Sequence, residues 1–152
     1  MKRFLSTAIF FICCAPIWGH ILNVPSGSYP TIQSAIDDLR PLLTQASWDL
    51  RLVLNLSTAH LRADDPTEGL SVLELADRIE GLPGDEVASV RYNRACAHAK
   101  LGEYEEAEGN LAGAIDAGWH NMKWAREDPD FESCRDAPWF RRLLAEAERR
   151  PK

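Results

Sequence analysis

The sequence lacks the local signals that usually mark catalysis or metal binding. No Gly-rich phosphate loop and no nucleophile elbow occurs anywhere in the chain. No pair of histidines or cysteines has the spacing of zinc ligands. The sequence also lacks a segment with the pattern of a β-strand, and this absence predicts an all-α fold. We therefore expect a protein that is not an enzyme and that holds no metal and no cofactor.

Positive charge is in the minority. The chain has 17 Lys and Arg against 23 Asp and Glu, a net charge of −6. An acidic surface repels phosphate groups, so binding to nucleic acid or to an anionic membrane surface is disfavoured. Hydrophobic residues make up 45% and charged residues 26% of the chain. These values, in a chain of 152 residues, are typical of one globular domain.

The N-terminus has the features of a secretory signal peptide. Lys2 and Arg3 precede an uncharged, mostly apolar run from Phe4 to Trp18. Such a run is short for a membrane span but suits the apolar region of a signal peptide. Cleavage after Gly19 would place the protein in the periplasm or outside the cell. It would also remove two basic side chains and no acidic one, which makes the surface still more acidic. The alternative is an uncleaved membrane anchor formed by residues 4–18.

Two cysteines, Cys96 and Cys134, lie beyond this leader. In an oxidising compartment they could form a disulfide. They could equally be two small buried side chains that never meet. Pairing requires Cα atoms within about 7 Å, a distance that the sequence does not give, so both alternatives stay open.

The spacing of apolar residues predicts a series of helices after a turn-rich linker at residues 20–30. A first helix is predicted over residues 31–44, with a break near Pro41. Asp65, followed by Pro66, has the pattern of a helix cap, and Asp85 is assigned the same role in the next hairpin. The further helices are predicted over residues 48–63, 65–80, 85–102 and 103–117.

The predicted helices form two hairpins that repeat. One constant shift along the chain places Asn93 on Asn55 and His98 on His60, with small residues at matching positions. The segment from Tyr92 to Gly118, with its Gly-x-Tyr turn before Glu-Glu-Ala, resembles a tetratricopeptide repeat. This resemblance implies a right-handed superhelix of antiparallel helix hairpins, with repeats at about 48–81 and 86–119 inside a domain over residues 31–152.

Residues 120–150 resemble the degenerate repeat that closes some bacterial arrays of this kind. They contain Asp128-Pro129 and Asp136-Ala137-Pro138, each interpreted as a cap followed by a proline that opens a helix. Trp139 and Phe140 begin an amphipathic stretch that could cover the open end of the second hairpin. A terminal cap of this kind is what a helical repeat array requires.

The resemblance also implies where a partner binds, because the first helix of each hairpin lines a groove in this family. We therefore predict a non-catalytic adaptor that binds a protein or peptide. The candidate groove residues are Arg51, Leu54, Asn55, Thr58 and Leu61 in the first hairpin and Tyr92, Asn93, Cys96 and Lys100 in the second. The alternative is that these residues only pack against the predicted helix over residues 31–44.

Other interpretations of the sequence remain open. Residues 24–38 look like the N-terminal entry of secreted β-helix proteins that act on polysaccharide, which gives a polysaccharide-related protein as the alternative. A structural or oligomerisation module is a third possibility.

His60 and His98 are interpreted as packing residues rather than metal ligands. The paired carboxylates Asp128 and Asp130 are interpreted as charges at a helix start, where they complement the helix dipole.

Overall fold

The computed structural model describes Asp37 and residues 49–150, and all of the regular structure within them is helical. The prediction of an all-α fold is therefore confirmed for this part of the chain. None of the helices described there has the length and apolar character needed to cross a membrane. The elements are α1 (Leu50–Arg62), α2 (Pro66–Leu73), a first 3₁₀ helix (Glu74–Arg78), α3 (Gly84–Leu101), α4 (Tyr104–Asp116), α5 (Met122–Glu127), a second 3₁₀ helix (Pro129–Cys134) and α6 (Pro138–Glu148).

Several predictions fall on residues outside this range. The signal peptide, the linker at residues 20–30 and nearly all of the predicted helix over residues 31–44 lie outside the described residues. The segment 24–38, which carries the polysaccharide alternative, also lies outside them except for Asp37. That one residue is helical, as the spacing predicts.

The first two helix pairs are antiparallel hairpins packed through small residues. In the first pair, a Cβ placed on Gly69 of α2 would lie 3.4 Å from the carbonyl oxygen of Ser57 in α1. In the second pair, Ala95 of α3 and Ala107 of α4 are both completely buried. Helices approach closely only where the facing side chains are this small.

Three helices end with the same hydrogen-bonded turn. A residue with positive φ follows each helix: Asp64 at 62°, Gly102 at 77° and Gly118 at 110°. The next residue then donates its N–H to a carbonyl in the last turn of the helix, as in a Schellman motif. These bonds run from Asp65 to His60, from Glu103 to His98 and from Trp119 to Ala114, at 2.9, 3.0 and 2.9 Å. The shift that aligns the two hairpins in the sequence therefore also aligns Asp64 with Gly102 in equivalent turns.

The histidines of the two hairpins also occupy equivalent places. His60 Nδ1 lies 3.6 Å from Asp65 Oδ2, and His98 Nδ1 lies 2.7 Å from Glu103 Oε2. Each histidine thus joins the last turn of one helix to the start of the next. His60 is buried and His98 half-buried, as expected of packing residues, while the contacts with Asp65 and Glu103 were not predicted.

The last helix, α6, runs parallel to α4. Arg142 Nη2 lies 2.6 Å from Glu108 Oε1, and Arg150 Nη1 lies 2.7 Å from Asp116 Oδ1. Both ion pairs join residues 34 positions apart in the chain. These two ion pairs hold α6 alongside α4.

Two of the predicted helix caps are wrong. The N-cap of α3 is Pro83, and Asp85 lies inside the first turn, where its charge still complements the helix dipole. The N-cap of α6 is Ala137, and Asp136 instead pairs with Arg141. The prediction for Asp65 is confirmed, because its side chain accepts the N–H of Glu68 at 3.3 Å.

The predicted helix over residues 65–80 is divided, because α2 ends at Leu73 and a 3₁₀ helix follows. Arg94 of α3 donates to the carbonyl oxygen of Leu73 at 3.2 Å and to Asp77 Oδ2 at 2.7 Å. The shift that aligns the two hairpins places Arg94 on Leu56, so the second hairpin has an arginine where the first has a buried leucine. This arginine binds the point at which the helix changes type.

A polar atom in the first hairpin gives a stability prediction. The hydroxyl of Ser57 is buried and has no hydrogen-bond partner, whereas the equivalent residue of the second hairpin is Ala95. A buried polar group without a partner costs about 1–3 kcal/mol. Ser57→Ala should therefore raise the free energy of unfolding by about 1 kcal/mol, measured by urea denaturation. Ser89→Ala is the matched control, since Ser89 Oγ donates to Asp85 O at 2.9 Å, and it should not stabilise the protein.

Two neighbouring positions on α4 should respond in opposite directions. Ala107 is fully buried at the helix crossing, so Ala107→Leu should lower the free energy of unfolding by about 1–3 kcal/mol through overpacking. Gly109 is exposed, and an added Cβ would meet nothing within 4 Å. Gly109→Ala should raise the free energy by about 0.5–1 kcal/mol, because alanine favours the helix. Equal melting temperatures for the two variants would contradict the position assigned to α4.

Candidate functional site

The first-hairpin half of the predicted groove lies at the surface. On α1, Arg51 is exposed and Leu54, Asn55 and Thr58 are half-buried. Thr58 Oγ1 donates to Leu54 O at 2.8 Å, and Asn93 Nδ2 of α3 donates to Thr58 Oγ1 at 3.5 Å. These five residues therefore form a mixed polar and apolar surface, which we call the α1 face.

The second-hairpin half of the predicted groove is mostly covered. Leu61, Tyr92 and Cys96 are buried in one core with Phe131 and Cys134 of the second 3₁₀ helix. Lys100 is half-buried. Residues 119–150, which we call the C-terminal segment, fold across this surface. Helical periodicity does not predict this long-range contact. Leu61, Tyr92 and Cys96 are therefore not exposed to a peptide in this conformation, and the candidate binding surface is reduced to the α1 face.

An aromatic cluster holds the C-terminal segment in place. Tyr92 stacks on Trp119 with ring centroids 4.0 Å apart and meets Phe131 edge-on at 5.7 Å. Phe131 in turn packs against Phe140 of α6 at 5.1 Å. Phe140 is buried, as expected for a cap residue, while Trp139 is half-buried. The cap predicted for residues 120–150 is thus part of the main core of the second hairpin.

A buried carboxylate, Asp128, lies at the centre of this contact. Its Oδ2 accepts hydrogen bonds from the Tyr92 hydroxyl at 2.9 Å and from the Trp124 indole N–H at 3.0 Å. Its Oδ1 accepts the backbone N–H of Asp130 at 3.1 Å. Asp128 therefore caps the second 3₁₀ helix and also binds α3 and α5.

Two cations from the hairpins approach the same place. Arg62 Nη1, at the end of α1, donates to Asp130 Oδ1 at 3.3 Å, and its Nη2 lies 3.8 Å from Asp128 Oδ1. Lys100 Nζ lies 3.0 Å from Asp64 Oδ1 and 3.9 Å from Asp130 Oδ1. We call the whole group the carboxylate junction, and it consists of Arg62, Asp64, Tyr92, Cys96, Lys100, Trp124, Asp128 and Asp130.

The junction perturbs the acidity of one of its members. Burial raises the pKa of Asp130 from 3.8 to about 6, and the neighbouring Asp128 carboxylate contributes to the rise. Arg62 and Lys100 act in the opposite direction but do not outweigh burial. Asp130 thus titrates closer to neutral pH than an ordinary aspartate does.

The junction also contains a set of atoms that could be considered for a metal. One ligand atom from each of Cys96, Asp128 and Asp130 lies within 4.8 Å of the others, and all three residues are buried. However, the Asp128 oxygens already accept four hydrogen bonds, and Arg62 and Lys100 bring two positive charges to the carboxylates. A divalent cation would have to displace these donors and tolerate both cations. We interpret the junction as an internal ion-pair network.

Both cysteines of the described residues, Cys96 and Cys134, are buried, and they do not form a disulfide with each other. Burial raises the pKa of the Cys134 thiol to about 11. The thiolate is the reactive form of cysteine, so Cys134 is almost entirely in its unreactive form at neutral pH. Neither the junction nor this thiol has the features of a nucleophilic site.

The sequence interpretation of Asp128 was correct but incomplete. It expected a charge at a helix start, and Asp128 does accept an N–H of the second 3₁₀ helix. It did not anticipate that Asp128 and Asp130 are buried, at 2% and 5% exposure. The sequence contains one signal for this contact. The Asp-Pro-Asp segment at residues 128–130 offers acceptors, and Tyr92 and Lys100 on a predicted helix face offer donors that can bind them.

Comparison with known proteins gives one partial similarity. No family model matches the sequence, and no solved structure matches it. Over 76 residues the chain is 32% identical to a chloroplastic protein of Arabidopsis thaliana. This similarity covers 47% of the chain but only 23% of the length of the Arabidopsis protein. A match of this extent does not establish membership of a family.

Proposed function

We propose that the protein is a non-catalytic scaffold that binds a protein or peptide, built as a short right-handed array of tetratricopeptide-type hairpins. The observation that carries this proposal is the repeated geometry of the helix pairs. Equivalent turns recur at Asp64 and Gly102. Two ion pairs between α6 and α4, each between residues 34 positions apart, support a further unit in which α6 corresponds to α4. Stacked helix pairs of this kind characteristically present an extended surface for binding partners.

The α1 face is the best-supported binding surface, because the C-terminal segment covers the corresponding part of α3. Its amide side chains, Asn55 and Asn93, can hydrogen-bond to the backbone of an extended peptide. Leu54 offers a small apolar contact, and Arg51 can bind a carboxylate. The surface is small, so we expect it to bind a short segment of a partner rather than a whole domain.

A peptide selection with matched variants tests this function. The full chain would be used to select ligands from a random peptide library, and affinities would be measured by fluorescence anisotropy. We expect Asn55→Ala and Arg51→Glu each to lower the affinity for the selected peptides by about tenfold or more, which is the effect expected from the loss of a central contact. Arg141→Glu is the matched control, because Arg141 and Arg51 are both exposed and each pairs with an aspartate near the start of its helix.

The outcome of the selection can contradict the proposal in two ways. A library that yields no ligand above background would argue against a peptide-binding scaffold. Ligands that bind wild type, Asn55→Ala and Arg51→Glu equally would show that the α1 face is not the binding surface. Loss of binding in Arg141→Glu as well would point to a general effect of charge.

We also propose that the protein is exported, on the basis of Lys2, Arg3 and the apolar run at residues 4–18. Mass spectrometry of the protein recovered from the cell envelope should give an N-terminus near His20. Recovery of intact Met1 in the membrane fraction would instead support the anchor formed by residues 4–18. A Leu5→Arg change within the apolar run should block export and leave the full-length chain inside the cell.

A further inference from the structure

The carboxylate junction joins three parts of the chain that are far apart in sequence. Arg62 comes from the end of α1, Lys100 from the end of α3, and Asp128 and Asp130 from the segment that folds across them. Asp64 adds a third carboxylate through its contact with Lys100. Both cations are shared, because Lys100 lies closer to Asp64 than to Asp130 and Arg62 lies between Asp128 and Asp130. A buried carboxylate that shares its cations in this way is costly, because the protein interior solvates its charge poorly.

Binding a proton would remove a poorly solvated negative charge, and the contacts indicate which carboxyl group carries that charge. Asp64 is exposed to solvent over 87% of its side chain, so its charge is well solvated. Asp128 accepts four hydrogen bonds, which compensate for its burial. Asp130 is buried and shares Arg62 with Asp128. Asp130 is therefore the carboxyl group that gains most from protonation.

The charged and titratable groups around Asp128 and Asp130 come from every element packed against these two residues. The end of α1 supplies Arg62, and the turn after it supplies Asp64. The second 3₁₀ helix is followed by Arg135, whose Nη2 donates to the Asp128 carbonyl oxygen at 2.9 Å. The helix α3 contributes Tyr92, Cys96 and Lys100.

We propose that Asp130 makes the contact between the C-terminal segment and the hairpins pH-sensitive, so that the segment is held more tightly as the pH falls. When the segment is released, Asp130 returns to water and becomes an ordinary, readily ionised carboxyl group. When the segment is bound, ionised Asp130 is a buried charge that shares both of its cations with other carboxylates. A proton on Asp130 therefore favours the bound state. This inference does not depend on the proposed peptide-binding function.

The direction of the effect on stability follows from linkage between protonation and folding. The pKa of Asp130 is raised from 3.8 to about 6 in the folded protein, mainly by burial. Its contribution to stability is therefore fully present below about pH 4 and is lost as the pH rises through about 6. A rise of this size in the pKa corresponds to a change of about a hundredfold in the folding equilibrium constant. Other groups add their own pH dependence, so the contribution of Asp130 must be isolated by substitution.

A direct titration of the wild-type protein is the first test. Carboxyl ¹³C chemical shifts of the full chain labelled at aspartate would be followed by NMR from pH 3 to pH 8. We expect one aspartate to titrate near pH 6, and we expect its resonance to be absent from the spectrum of Asp130→Asn. Titration of Asp130 near pH 4 would overturn the proposal, and this result does not depend on how well any variant folds.

The second test measures the consequence for stability. Urea unfolding would be compared between pH 4.5 and pH 7.5 for wild type, Asp130→Asn and the exposed-site control Asp136→Asn. We expect the folding equilibrium constant of wild type, relative to that of Asp130→Asn, to be at least tenfold higher at pH 4.5 than at pH 7.5. Asp136→Asn should follow wild type. An equal pH dependence for wild type and Asp130→Asn would contradict the proposal.

A third measurement locates the change in the C-terminal segment. Cys134 lies in this segment and Cys96 lies beneath it, and both are buried. Their labelling rates with a thiol reagent would be compared between wild type and Asp130→Asn at the same pH. The effect of pH on the intrinsic reactivity of the thiols is then the same for both proteins. At pH 7.5 the variant should be labelled more slowly than wild type, and the difference should shrink at pH 5. Identical rates at pH 7.5 would show that Asp130 does not control release of the segment.

Discussion

A chain that ends at Gly118 is expected to lose cooperative unfolding and to aggregate. Removing the C-terminal segment would expose Tyr92, Leu111 and Ile115, all of which are buried in the core shared with it. At about 25 cal/mol per Å² of apolar area, uncovering such side chains costs several kcal/mol. An exposed apolar patch of this kind also favours association between chains. Size-exclusion chromatography and thermal melting monitored by circular dichroism would measure the change.

The matched control for this truncation is a chain that ends at Arg150. It keeps α6 and its ion pair between Arg150 and Asp116, and it should melt like the full protein. The first hairpin has its own core, so some helical signal should survive in the shorter chain. A monomeric chain ending at Gly118 that melts as cooperatively as the control would show that residues 119–150 are not a structural cap.

Substitution of Asp128 by alanine should be the most damaging single change in the described part of the chain. It would leave the Tyr92 hydroxyl and the Trp124 indole N–H without their acceptor inside the core. It would also remove one of the carboxylates that Arg62 meets. Breaking a buried charged contact in this way typically lowers the free energy of unfolding by about 3–5 kcal/mol. Urea denaturation monitored by tryptophan fluorescence would measure the loss.

Two further variants separate the role of Asp128 from a general effect of losing a carboxylate. Asp136→Ala removes an exposed aspartate paired with Arg141 and should change stability by less than about 1 kcal/mol. Asp128→Asn keeps an acceptor oxygen of similar size and should fall between wild type and Asp128→Ala. A loss below about 1 kcal/mol in Asp128→Ala, the size expected of an exposed pair, would mean that the junction does not hold the C-terminal segment.

The parts of the fold that depend on local sequence were predictable. The helix ends at Gly102 and Gly118 follow from the need for a left-handed residue after a helix, and both residues have positive φ. The cap at Asp65 follows from its side-chain oxygen and the proline after it. Helix start and stop signals of this kind act over a few residues, so a single sequence contains most of them, although Asp85 and Asp136 were wrongly assigned as caps.

The parts that depend on contacts between distant segments were not predictable. Tyr92 and Cys96 fit the pattern of a groove-lining helix face, yet Phe131 and its neighbours cover them. Periodicity identifies which face of a helix is special, but it does not show which segment packs there. For the same reason Asp128 and Asp130 were assigned to a helix start, while their burial against α1 and α3 was missed.

The turn at Asp64 ends the first helix of the first hairpin and also affects the acidity of Asp130. Aspartate adopts here the left-handed backbone, with φ of 62°, that Gly102 adopts in the equivalent turn of the second hairpin. Its carboxylate contributes to the raised pKa of Asp130. A glycine at position 64 would suit the turn better and would remove that negative charge. The pH at which Asp130 changes its hold on the C-terminal segment can therefore be adjusted by one substitution in a surface turn, without a change to the core.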